Sequence, residues 1–191
     1  ASPKGHGLHL SYWSKADVSN SSIVSADPGD GNQPNAIYLW RSQLNFNHDS
    51  NENSNTISLT SPGYTILASG RSEVVVQQAL TLNTNGSSSP EEVALWEGSD
   101  LWFFESQSPY TIPKVYAYSE SKIHVHQSAQ VTLTEVQLNS GSHLNLDESS
   151  STVDGVTCWG RTTTSGQSID RPSVIFFDNG DNSTVSSIGS D

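Results

Sequence analysis

A short pattern of Ser, any residue, an aliphatic residue, any residue and an apolar residue recurs along the middle of this chain. Few folds accommodate such repetition. The copies are Ser42-Gln43-Leu44-Asn45-Phe46, Ser72-Glu73-Val74-Val75-Val76, Ser99-Asp100-Leu101-Trp102-Phe103, Ser121-Lys122-Ile123-His124-Val125 and Ser142-His143-Leu144-Asn145-Leu146. Their central aliphatics are separated by 30, 27, 22 and 21 residues, converging on a constant spacing. Self-similarity at such a period is the mark of stacked supersecondary units, in which each unit covers the apolar face of the next.

Each copy is preceded by a second short alternating segment: Ile37-Tyr38-Leu39, Thr65-Ile66-Leu67, Val93-Ala94-Leu95, Val115-Tyr116-Ala117 and Val136-Gln137-Leu138. A third follows the later copies, as at Val131-Thr132-Leu133. Alternation with period two is the strand signature. The predicted fold is therefore a single all-β domain, a parallel β-helix with three short strands per coil of about 21–22 residues. Leu44, Val74, Leu101, Ile123 and Leu144 should form one inward column, and Phe46, Val76, Phe103, Val125 and Leu146 the next. Residues 1–35 lack the repeat and are expected to be an irregular N-terminal cap. Residues 36–191 form the solenoid, with inserted loops near 47–56, 83–92 and 158–172. An antiparallel β-sandwich, which also uses short strands at regular spacing, is the alternative.

The Gly141-Ser142-His143-Leu144-Asn145-Leu146-Asp147 run and its partner one cycle earlier resemble the coils of right-handed parallel β-helix adhesins, autotransporter passengers and phage tailspikes. Fungal cell-wall adhesins with β-helix heads are similar in style. The resemblance covers residues 36 to about 156 and is architectural. It implies an extracellular location on a secreted, cell-surface or virion protein, and it assigns no functional residue.

Composition narrows the partners. The formal net charge is −12, with eight Lys and Arg in all. Nucleic acid binding needs clustered cations that displace condensed counterions, so no nucleic acid partner is expected. The longest apolar runs, Val74–Val76 and Val174–Phe177, are far too short to cross a bilayer as a helix, so no membrane insertion is expected. The lone Cys158 excludes an internal disulfide framework, though not secretion. Asn20, Asn85 and Asn182 begin N-glycosylation sequons, as in a secreted glycoprotein.

Chemistry-bearing patterns are sparse. His124 and His126, at i and i+2 on a strand, point the same way, as a metal site requires. Because Ile123 and Val125 point inward, both histidines are expected to be solvated or to contact a ligand. Asp27–Asn32 and Asp178–Asn182 collect oxygen ligands of the kind calcium takes, in compositions that ordinary turns also use. No other cofactor is expected. No nucleophile elbow, Walker loop or zinc-protease motif is present. Glu73, Asp100 and Asp147 are expected in different outward columns, and Arg41 and Arg71 share a turn position with no matching acidic row, so no catalytic set is expected.

Superposing the coils collects large rings on two adjacent outer faces. Trp40, Trp96, Tyr116 and Tyr118 fall on the first strand, and Trp102, Phe104, His124 and His126 on the second. Exposed rings flanked by Asn, Gln, His and Asp suit sugar recognition. The expected function is a surface binding module, an adhesin or receptor-binding domain engaging a glycan or host receptor. The alternatives are a homo-oligomeric fibre or filament subunit built through the same face, and a polysaccharide-degrading enzyme.

Overall fold

The computed structural model describes residues 5–19, 21–25, 34–47, 57–61, 63–84, 93–104, 109–126, 129 and 131–146. It also describes the backbone of strands at 152–153, 156–159, 174–177, 184–185 and 188–190. Among these residues every element is a strand and every strand pairing is parallel, in three sheets. Parallel pairing throughout excludes the antiparallel sandwich.

Sheet two contains the repeat. Its strands, in spatial order, are Lys15–Val18, Gln43–Phe46, Glu73–Val76, Asp100–Phe103, Lys122–Val125, His143–Leu146 and Val174–Phe177. Their register aligns the motif residue for residue: Leu44 opposes Val74, Val74 opposes Leu101, Leu101 opposes Ile123 and Ile123 opposes Leu144. Sheet one holds the segment preceding each copy, in the order Leu8–Ser11, Ile37–Trp40, Ile66–Ser69, Val93–Leu95, Tyr110–Ala117 and Val131–Asn139. Beyond these, the backbone of Thr152–Val153 and Val156–Trp159 pairs with the last of them. Sheet three contains Ser22–Val24, Ile57–Ser61 and Leu80–Thr84. In the later cycles the third segment runs straight into the next first segment, which yields the long strands Tyr110–Ala117 and Val131–Asn139.

The predicted inward columns are buried. Leu44, Val74, Leu101, Ile123 and Leu144 are at most 1% exposed, and so are Phe46, Val76, Phe103, Val125 and Leu146. They meet Ile37, Leu39, Ile66, Leu95, Val115, Val136 and Leu138 from sheet one in one continuous core. Burial of each such side chain stabilises by roughly 1.5–3 kcal/mol.

The expected boundaries change in two places. Residues 8–24 are not an irregular cap: their three strands pair in register with Ile37–Trp40, Gln43–Phe46 and Ile57–Ser61. Ser14-Lys15-Ala16-Asp17-Val18 carries the motif with alanine in the aliphatic slot, so this is a first full cycle. Asn83 and Thr84, assigned to a loop, end the strand Leu80–Thr84, and Cys158 and Trp159 end the strand Val156–Trp159. The rest of the three expected insertions, apart from Asn47, lies outside the described residues.

The structure also explains why the motif begins with serine. The chain turns sharply between sheets one and two, and the motif serine closes each turn. Ser72 Oγ donates to Ser69 O at 2.6 Å, Ser99 Oγ to Trp96 O at 2.7 Å, Ser121 Oγ to Tyr118 O at 2.7 Å and Ser142 Oγ to Asn139 O at 2.7 Å. The same oxygens accept from the previous cycle: Ser42 N–H reaches Ser72 Oγ at 3.2 Å, Ser72 N–H reaches Ser99 Oγ at 3.1 Å and Ser99 N–H reaches Ser121 Oγ at 3.3 Å. These serines are buried, so an unpaired polar group here has no water to turn to. Ser99→Ala leaves the Ser72 amide without an acceptor and should cost about 1–3 kcal/mol in denaturant unfolding. Ser14→Ala, at the exposed end of the row, should stay within about 0.5 kcal/mol. Equal effects at the two positions would dissolve the ladder as a source of stability.

Candidate functional site

Parallel stacking places equivalent outward side chains about 4.8 Å apart, rung above rung. On sheet two the outer row is Asp17, Asn45, Val75, Trp102, His124 and Asn145. The Trp102 and His124 rings lie face to face, with centroids 3.7 Å apart and an interplanar angle of 4°. On its other side His124 accepts a hydrogen bond at Nδ1 from Asn145 Nδ2 at 3.1 Å.

Sandwiched in this way, His124 is buried, 8% exposed, although it points away from the core. The expectation that it is solvated is therefore corrected: alternation sets its direction, and the ladder neighbours remove its water. Burial, with Lys122 and His143 nearby, pushes its pKa down to about 4, so the ring is neutral near pH 7. Trp102 is half-buried for the same reason. Next to it, Phe104 meets the exposed His126 at 5.0 Å. His124 is thus committed to its stack, and among the described residues no three His, Cys, Asp or Glu side chains converge as a metal site. Asp27–Asn32, Asp178–Asn182 and all three sequon asparagines lie outside the described residues.

One carboxylate pair was placed wrongly from sequence. Glu73 and Asp100 are not in separate columns: they are Cα partners on neighbouring cycles. Burial first, and Glu73 with it, raises the Asp100 pKa, while Lys122 opposes the shift.

On sheet one, Tyr38 pairs across from His9, and Tyr116 across from Ala94 and Gln137. Tyr116 stacks on Tyr118 at 6.2 Å and 10°, and Trp96 lies 6.1 Å from Tyr118. Trp96 is 41% exposed and Tyr118 37%. Trp40 is partly covered, with the Tyr12 ring edge-on at 4.8 Å and the Arg41 guanidinium 4.8 Å above its ring.

The corner where sheet one turns into sheet two holds what sequence reasoning missed. Tyr12 and Trp13 are 72% and 79% exposed. A groove of about 510 Å³ runs along this corner, lined by Trp13, Arg41, Arg71, Glu97, Ser119 and Glu120. Arg41 and Arg71 were expected to lack acidic counterparts, but Glu97 and Glu120 stand on the next two cycles of the same groove. The signal was available in the one or two residues before each motif serine, which are the turn and hence the corner.

No protein-family model matches the chain, and no curated protein or solved structure matches it either.

Proposed function

We propose that this chain is a three-sided parallel β-helix acting as the binding module of a secreted, cell-surface or virion protein, and that its ligand is a glycan held at the corner between sheets one and two. The observation that carries this reading is the distribution of exposed rings. Among the described residues, four of the five exposed large hydrophobics are Tyr12, Trp13, Trp96 and Tyr118, all at this corner. Trp13 lines a groove whose other walls are Arg, Glu, Ser and Gly, and Tyr12, Trp96 and Tyr118 each adjoin a lining residue in the chain. Flat rings that stack on sugar faces, beside polar groups that read hydroxyls, are what carbohydrate recognition requires.

The test is a glycan array followed by titration of the best ligand. Trp96→Ala should weaken binding about tenfold or more, since one flat ring contact is worth about 1–3 kcal/mol on the scale of base stacking. Its melting temperature should move by no more than a few degrees, because the ring is partly exposed. Unchanged affinity would remove Trp96 from the site. Absence of any array ligand would remove the glycan reading.

A second reading, polysaccharide hydrolysis, is favoured by one observation: Glu97 and Glu120 line the same groove on adjacent cycles. Two carboxylates flanking a scissile bond are the usual machinery of glycosidases. Release of reducing ends from an array ligand, abolished by Glu97→Gln and Glu120→Gln, would establish it.

A further inference from the structure

We propose that the corner groove selects a glycan bearing a single anionic sugar next to neutral ones, with the sugar's oxyanion held by Arg41 and Arg71. This rests on the glycan reading above and names the ligand class of that same groove.

The first argument is backbone cost. The turn that forms the corner is left-handed in every described cycle: φ is positive at Tyr12 and Trp13, at Arg41, at Gly70 and Arg71, at Glu97 and Gly98, at Ser119 and Glu120, and at Ser140 and Gly141. A non-glycine residue is strained there, and glycine is not. Glycine takes one position in three of these turns, yet the chain places Trp13, Arg41, Arg71, Glu97 and Glu120 at a left-handed position in five of them. Large functional side chains kept where glycine is easier indicate a use for the side chains themselves.

The second argument is how the arginines are seated. Where the chain does use glycine at this corner, it makes room for the cycle before. A Cβ on Gly70 would come within 2.8 Å of Trp40 Cδ1 and 3.1 Å of Arg41 Cγ, and one on Gly98 would touch Arg71 Cγ at 3.6 Å. Both arginine stems thus lie across the following rung, and Arg41 is held over the Trp40 ring. Pre-positioned guanidinium forks suit the oxygens of a carboxylate or sulfate.

The third argument is the order of charge. Along the groove the cycles read aromatic, cation, cation, anion, anion. A polyanion laid along it meets Arg41 and Arg71 and then collides with Glu97 and Glu120, on a chain whose formal net charge is −12. One anionic sugar at the arginine rungs, continued by neutral sugars whose hydroxyls donate to Glu97 and Glu120, satisfies every rung. Rung spacing of about 4.8 Å is close to the length of one sugar unit in an extended chain, so successive cycles read successive sugars.

The experiment compares matched glycans on an array and in titration: neutral oligosaccharides, the same chains carrying one sialic acid, uronic acid or sulfate, and fully charged oligogalacturonate. Lactose, sialyllactose and sulfolactose are one such series, and the sialyl and sulfo arms separate carboxylate from sulfate. The singly charged members should bind at least tenfold tighter than both the neutral and the fully charged members. Arg71→Gln and Arg41→Gln should each erase that advantage, and Lys122→Gln, an exposed cation on sheet two, should not. Melting curves confirm that the variants fold. Should Arg71→Gln fail to fold, Arg71→Lys serves, because it keeps the charge and loses the fork. Neutral chains that bind as well as charged ones, arginine variants that leave the preference intact, or tightest binding of oligogalacturonate would each overturn the inference and leave the glycan reading standing. If no glycan binds at all, the glycan reading falls and takes the inference with it.

Discussion

Leu144→Asp is expected to leave no folded protein. Leu144 has no exposed surface, stands opposite Ile123 in the inward column and belongs to the single core formed by the sheets. A carboxylate there has neither a partner nor water. Burying it ionised, or protonating it to avoid that, adds to the loss of the leucine, together about 5 kcal/mol or more. A domain of ordinary stability has about 5–15 kcal/mol in total. Leu144→Ala removes only the contacts and should cost about 2–5 kcal/mol, leaving a folded but weaker domain. Circular dichroism melts of the two variants beside the parent make the comparison. An aspartate variant that melts normally would place Leu144 outside the core.

Trp102 is the second site of large effect, for a reason specific to the ladder. Its ring lies on His124 and keeps water from it. A fully buried Trp→Ala change costs about 3–5 kcal/mol, so about 2 kcal/mol is expected for this half-buried ring. For a chain of this size that lowers the melting temperature by about 4–8 °C. Acid titration supplies an independent readout. The folded pKa of His124 lies below its ordinary value of 6.5, at about 4. Between those values the unfolded chain binds the proton more readily, so this residue's contribution to stability is present above pH 6.5 and is lost as pH falls towards 4. Removing Trp102 rehydrates the imidazole, which raises its folded pKa and makes the stability of the variant fall less steeply across that window. A melting temperature within a degree of the parent, with an unchanged pH slope, would mean that Trp102 does not cover His124.

Much of the fold was legible because a period-two strand repeated at a near-constant interval leaves little freedom. The inward leucines and valines of sheet two could be written down from the motif alone. Two things were obscured. Ala16 stood where the other cycles carry a larger aliphatic, so the first cycle passed for a cap. The site was harder: alternation tells which way a side chain points and says nothing about what its neighbours do to it. Trp102 and His124 do point outward, yet each consumes the other's open face. Of the rings that remain available, Trp96 and Tyr118 follow from superposing the coils, whereas Tyr12 and Trp13 stand in the first turn, inside the segment that passed for a cap. Their proximity to Arg41, Arg71, Glu97 and Glu120 emerges only when the turns are stacked.

The serine ladder separates two tasks that most folds entangle. From Ser42 to Ser142 each turn is closed by a buried hydroxyl that bonds backward to its own cycle, and at Ser72, Ser99 and Ser121 it also accepts from the cycle before, so the backbone of the corner is held from inside. The side chain on the outer rim contributes nothing to that closure. A rung can therefore exchange arginine for glutamate, or tryptophan for serine, without disturbing the scaffold beneath it. The corner behaves like a line of movable type: the frame is set by serine, and the text can be rewritten one character at a time.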